Sequence, residues 1–343
     1  MNNSLNILLL SACPSIQYRI RKEILGQSSF DPEMIHLQYQ ILQEDRVKEI
    51  LHSQNPDGWL AWAFHGYNSM ESGIRMLCEK GVEPTQPVLT HALDSLEKHT
   101  DRLDRGLGTV GNVLDELGFG GAKTIRAYLF AQAGKEDPPF VQEQVNQALE
   151  VFGSVIRVRS LEDLCEPYKG KLVFREGICF PSIYHLRILA MTQSWRTSEN
   201  YRRIVKDIKH LVQLSPIPPI HVRYRSRWIA PASFCMDNFK PNMGTLTDAE
   251  WMRWFHRMEL LARLGVANQI PELKKQINYL EKILKEGLGL FRKKLNHPYF
   301  QKWGSYTGLA LEKDWHQQQC RINDLTFRSL LILHYTNLNS DPK

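Results

Sequence analysis

Apolar positions along this chain recur at helical spacing, and the helical segments come in two unlike kinds. In one kind apolar residues run nearly all the way round, as in Ile183-Tyr184-His185-Leu186-Arg187-Ile188-Leu189-Ala190-Met191. Such a helix has little polar face to offer water and belongs inside. In the other kind, as in Leu273-Lys274-Lys275-Gln276-Ile277-Asn278-Tyr279-Leu280, one apolar stripe opposes a charged face, so the helix belongs outside. Prolines open these segments and glycines close them. The pattern predicts a helix over 14–26 and a longer one from Asp31 through Leu51. Pairs follow at 70–80 and 87–98, 121–133 and 138–152, 181–192 and 198–214, and 248–264 and 271–287. A last apolar helix covers 323–335.

The buried kind carries an arginine at a matching place in several units: Ile74-Arg75-Met76-Leu77, Ile125-Arg126-Ala127-Tyr128, Leu186-Arg187-Ile188-Leu189 and Phe327-Arg328-Ser329-Leu330. The spacing is irregular, roughly fifty to seventy residues, longer than an ordinary helical repeat. Each unit must bury its apolar face against its neighbours. Buried inner helices wrapped by amphipathic outer ones predict an all-α fold, a single α/α toroid over residues 1–343. It would be an incomplete α6-α6 type barrel with about six inner helices. An open solenoid would instead need polar inner helices along a wet concave face. Extra length gathers in loop insertions near 100–120, 215–247 and 296–320, where function tends to reside. The last two each join an outer helix to the next inner one, so a toroid sets them at the same end. Gly106, Gly108 and Gly111 lack the strand–glycine–helix context of a phosphate-binding loop.

Composition narrows the class. With 43% hydrophobic residues and 8 tryptophans the chain can fill a large core. A mean hydropathy of −0.36, with no long apolar run, gives no membrane span, although peripheral contact stays open. Acidic residues (37) nearly match basic ones (43), which argues against a nucleic-acid binder. Six cysteines stand singly, the pattern of reduced thiols in a cytoplasmic protein. Leu10-Ser11-Ala12-Cys13 has the form of a lipidation box, but Met1-Asn2-Asn3-Ser4 carries no positive charge and the apolar run before it is short.

Gln54-Asn55-Pro56-Asp57-Gly58-Trp59 resembles the glutamine–tryptophan repeat of squalene-hopene cyclases, with the tryptophan one residue early. Pro14-Ser15-Ile16-Gln17-Tyr18-Arg19 and Asp324-Leu325-Thr326-Phe327-Arg328 resemble bacterial proteins described as squalene-cyclase-like or prenyltransferase-like. The resemblance implies the α/α toroid of terpenoid cyclases and protein prenyltransferases. It does not bring their chemistry. The Asp-x-Asp-Asp acid of class II cyclases and the aspartate-rich magnesium motif are absent from the sequence. Cys235-x-Asp237, and Asp314-x-His316 with Cys320, echo the prenyltransferase zinc ligands in the wrong order and spacing. No metal and no cofactor are therefore expected.

The arginines are the sharpest candidates. If Arg75, Arg126, Arg187 and Arg328 point inward, they suit a carboxylate or phosphate in a central cavity, with Glu259 neutralising one of them. His65, Tyr67 and Glu71 flank one inner helix, and Tyr184 and His185 begin another. Either histidine could serve as a general acid or base. Asp237, among Trp228, Phe234 and Phe239, is the candidate acid, since apolar burial would keep its carboxyl protonated. The expected function is binding of a small, partly apolar anionic ligand, isoprenoid- or lipid-like, with its transformation left open. The alternatives are a non-catalytic protein-interaction scaffold and an α/α-barrel carbohydrate-active enzyme.

Overall fold

A computed structural model describes residues 2–338, in which the helical pattern resolves into fifteen α-helices. They are α1 (Asn2–Ser11), α2 (Pro14–Arg19), α3 (Pro32–Leu42), α4 (Asp45–Ser53), α5 (Met70–Glu79), α6 (Pro87–Lys98), α7 (Thr109–Glu116) and α8 (Ala122–Gln132). Then come α9 (Pro139–Ser154), α10 (Leu161–Leu164), α11 (Ile183–Met191), α12 (Ser198–Leu214), α13 (Asp248–Leu264), α14 (Pro271–Glu286) and α15 (Gln318–Leu338). A π-helical turn, Ile20–Ile24, continues α2. The segment expected as one helix from Asp31 to Leu51 is two, broken between Leu42 and Asp45. No helix among the described residues is long and apolar enough to cross a membrane.

The fold is mainly helical but not purely so. Two short hairpins form one sheet in the order β1 (Cys165–Tyr168), β2 (Lys171–Phe174), β3 (Ile220–Tyr224), β4 (Arg227–Ile229). Within each hairpin the strands are antiparallel, and β2 runs parallel to β3. Strands of three to five residues are too short for their alternation to stand out in the sequence. Their pairing corrects the all-helical expectation.

Inner and outer helices divide as their side chains dictate. Every residue of α11 from Ile183 to Ala190 is buried, whereas α14 buries only Leu273, Gln276, Ile277, Leu280 and Leu284, a single stripe. The buried helices pack in chain order, α5 on α8, α8 on α11, α11 on α13, α13 on α15, and α15 on the π-helical turn. Arg19 of α2 donates to Glu79 of α5 at 2.8 Å. Outside them, α6 lies on α5, α9 on α8 and α11, and α14 on α15.

A segment of the chain itself occupies the space among the buried helices. From Trp303 to Leu311 every residue except the half-buried Tyr306 is buried. Every second carbonyl of this segment is taken by a cation from a surrounding helix. Arg187 donates to Ser305 O at 2.9 Å, Arg75 to Thr307 O, Arg328 to Leu309 O at 2.8 Å, and Lys80, just after α5, to Leu311 O. Each such charge-assisted bond satisfies a buried carbonyl, and Thr307 O accepts in addition from Gly304 N at 3.3 Å. Two glycines let the segment through. A Cβ on Gly304 would sit 2.7 Å from the Tyr67 ring, and one on Gly308, whose φ is +93°, would sit 2.6 Å from Trp303.

Candidate functional site

The N-terminal ends of two buried helices build the site. At α5 the Ser69 hydroxyl accepts from Ser72 N and Ser72 Oγ from Ser69 N, a reciprocal cap that fixes the first turn. That turn directs Glu71 inward, where it is wholly buried. At α11, Ser182 and His185 form the same cap and set Tyr184 facing Glu71. The Tyr184 hydroxyl donates to Glu71 Oε1 at 2.6 Å, and His65 Nδ1 lies 2.6 Å from Oε2. Ser305, from the central segment, donates to Oε2 at 2.5 Å and itself accepts from Gly66 N at 2.9 Å. Arg187 stands 3.8 Å from Oε1.

This arrangement fixes protonation. Burial pushes the Glu71 carboxyl up, but His65, Arg187 and the Ser305 hydroxyl outweigh it and hold its pKa at about 2. The carboxylate is therefore ionised at neutral pH and accepts on both oxygens. An ionised acceptor beside Nδ1 requires the proton on that nitrogen, which leaves the lone pair of a neutral imidazole on Nε2. His65 keeps 15% of its side chain exposed, and its Nε2 bonds to no described residue. Aromatic rings frame it. Tyr306 meets His65 edge-on at 5.7 Å, and Phe234 stacks on Tyr306 at 5.5 Å. The loops of the 215–247 and 296–320 insertions thus meet at one place, beside the 54–69 loop.

Below this layer the charges are paired internally. Arg328 bonds Glu79 at 2.8 Å and Glu259 at 3.0 Å, while Arg263 bonds Glu23 at 2.7 Å and Glu259 at 3.0 Å. Burial raises the carboxyls of Glu23 and Glu79, and the neighbouring arginines more than reverse it, holding both well below the usual range. Glu259 does meet one of the repeat arginines, Arg328. Arg75 has no carboxylate within ion-pair distance among the described residues, and burial and Arg187 lower its pKa.

Other candidates lie elsewhere. Arg126 points away from the interior, donating to Leu96 O and Glu97 O with its guanidinium 3.8 Å from the Phe140 ring. Trp228 stands on β4, 44% exposed, against His221. Tyr67 is 47% exposed, its hydroxyl 3.5 Å from Thr307 Oγ1. Asp237, expected to be buried among aromatic rings, is instead 41% exposed at its side chain and paired with Arg253 at 3.1 Å. Phe239 is buried and Phe234 turns to Tyr306, so no apolar wall surrounds the carboxyl. Asp237→Asn should change stability by less than about 0.5 kcal/mol in thermal melts; a larger loss would show that the pair with Arg253 holds the loop.

His185 has a different role from that expected. Its Nδ1 accepts from Ser182 N at 3.1 Å, and its Nε2 is buried without a partner. Burial pulls its pKa down from 6.5 to about 4. The folded state therefore holds it neutral where the unfolded chain binds a proton. Its contribution is complete above pH 6.5 and is lost as pH falls toward about 4. The loss expected is about 3 kcal/mol, and His256, lowered by burial and by Arg75 and Arg187, acts in the same direction. Comparing melts of the parent and His185→Asn from pH 7 to pH 4 checks this, the variant showing the shallower fall.

Part of this network is marked in the sequence by helical spacing and part is not. Glu71, Arg75 and Glu79 fall four apart on one face of a mostly apolar helix, and the pairs Arg19–Glu23 and Glu259–Arg263 share that spacing. Nothing in the sequence marks Ser305. Among the described residues no cluster of three histidine, cysteine or acidic side chains could hold a metal ion. No family model, curated protein or solved structure matches the chain.

Proposed function

We propose that the chain is an α/α toroid whose loop end carries a histidine acid–base site, with His65 as the group that exchanges protons with substrate. The observation that carries this reading is the Glu71–His65 bond, which holds the imidazole by Nδ1 and leaves Nε2 toward solvent. A carboxylate behind Nδ1 orients the ring and stabilises the imidazolium formed when Nε2 takes a proton. Tyr184, wholly buried and bonded to Glu71, acts as a positioning residue. The cyclic packing order of the buried helices, with Arg19 reaching Glu79, supports the toroid.

This reading takes precedence over an isoprenoid- or lipid-like anion held in a central cavity. The arginines that would bind such an anion already donate to carbonyls of residues 305, 307 and 309. Among the alternatives it favours the carbohydrate-active enzyme over the scaffold, because an accessible, carboxylate-backed histidine serves chemistry rather than protein contact. The test is turnover of a panel of oligosaccharides, acidic and neutral, by the parent and His65→Ala. The expected loss is at least about a hundredfold. Activity retained by His65→Ala, or no turnover of any member, would count against the reading.

A further inference from the structure

The two hairpin turns gather an unbalanced group of cations. Lys169 and Lys171 flank the β1–β2 turn, and Arg223, Arg225 and Arg227 surround the β3–β4 turn. Contacts between the hairpins hold these residues together. Lys169 Nζ donates to Ser226 O at 3.0 Å, the Arg223 guanidinium lies 4.5 Å over the Tyr168 ring, and the Lys171 ammonium lies 4.8 Å over the Trp228 ring. All five cations are exposed, and none is ion-paired with a described residue. Residues 220–229 include no acid, and Glu166, the one acid of β1 and β2, is taken by Arg175 at 3.1 Å. Glu116, Glu150 and Glu176 border a depression of about 870 Å³ that Arg223 and Arg225 also line, without reaching ion-pair distance of either. Lys169, Lys171 and Arg227 lie outside that depression. Lys169 and Arg225 hold φ at +47° and +55°, where glycine or asparagine sits more easily, so each turn carries a cation against local preference.

We infer that this patch binds single-stranded nucleic acid. Five clustered cations form the electrostatic footprint that a chain of phosphates needs, and the near-balance of charge over the whole sequence averages this local excess away. Three of the five are arginines, whose guanidinium groups fork two bonds onto phosphate oxygens. Tyr168, Tyr224 and Trp228 stand among them. Lys171 lies over Trp228, yet the tryptophan stays 44% exposed, which leaves ring surface for an unstacked base. A duplex hides the faces of its bases and has no use for such a ring. A lipid surface fits less well, because the turns present Lys169-Gly170 and Arg225-Ser226 and no apolar side chain to enter it. An acidic peptide meets the cations but brings no repeated flat group to the rings. This site is independent of the acid–base reading of His65.

The experiment is fluorescence anisotropy of a labelled oligothymidylate of about twelve nucleotides, within the span such surfaces cover, titrated with the full-length protein. Neutralising three to five phosphates should give a slope of log K against log[NaCl] of about −2 to −3.5. Arg223→Ser/Arg225→Ser/Arg227→Ser should weaken binding at least about tenfold and flatten that slope. Lys274→Ser/Lys275→Ser/Lys285→Ser removes the same charge from exposed positions of α14 and should change binding less than about twofold. Trp228→Ala should weaken the single strand about tenfold and leave a duplex of the same length unaffected. Melting curves establish that each variant is folded. The duplex, phosphatidylserine vesicles and polyglutamate serve as comparison ligands. Absence of salt-dependent binding, equal losses in the two triple variants, or tighter binding of any comparison ligand would overturn the proposal.

Discussion

Glu71→Ala is expected to lower stability by roughly 3–5 kcal/mol, the loss seen when one partner of a buried ion pair is removed. For a chain of this size the fall in Tm should be on the order of 10 °C. The residue is wholly buried and receives His65, Tyr184 and Ser305, with Arg187 close by. Alanine leaves those donors facing a void and Arg187, 3% exposed, without its carboxylate. It also removes the group that holds the His65 ring by Nδ1, so on the proposed acid–base role activity should fall with stability. Glu71→Gln separates the two effects. It keeps an oxygen for one donor and most of the volume, so its fold should survive better than its activity. The pH dependence follows from the depressed carboxyl. Its contribution is complete above about pH 4.5 and lost as pH falls toward about 2. Urea unfolding of parent and variants across that range measures it, and parallel pH curves for parent and Glu71→Gln would contradict the assignment.

Arg328→Met is the second large effect, again roughly 3–5 kcal/mol. Arg328 is 1% exposed and joins Glu79, Glu259 and Leu309 O. Methionine fills similar space but leaves two buried carboxylates short of a cation and one carbonyl without a donor. The direction discriminates between roles. A cation held in reserve for an anionic ligand repels its neighbours, so its removal leaves stability unchanged or raises it. A cation that holds the central segment destabilises on removal. Denaturant midpoints of Arg328→Met, alongside Arg187→Met, decide between the two.

The helices were legible because their periodicity and punctuation agree. The bounds of α6 and α12 follow from proline and capping signals, and the stripe of α14 is plain from leucines and isoleucines among lysines. The central segment was not legible. Gly304-Ser305-Tyr306-Thr307-Gly308 has no periodicity, and its burial depends on arginines far away in the chain. The repeat arginines were visible, but their partners are backbone carbonyls, which no residue type announces. His65 and Glu71 could be singled out from six residues' separation. Ser305, 234 residues beyond Glu71, could not. Arg126 shares the sequence environment of Arg75 and Arg187 yet points outward, because a one-position difference in facing turns a side chain by about 100° round a helix.

The chain's own segment fills the space among the buried helices. Hydrogen exchange at Gly308, Leu309, Ala310 and Leu311 tests it most directly. Their amides donate to Tyr299 O at 2.8 Å, to Phe300 O at 2.8 and 2.9 Å, and to Asp324 Oδ1 at 2.7 Å, within a buried stretch. These four amides should exchange as slowly as those of α11, and Arg328→Met should speed them selectively. Exchange at the rate of an exposed loop in the parent protein would contradict it.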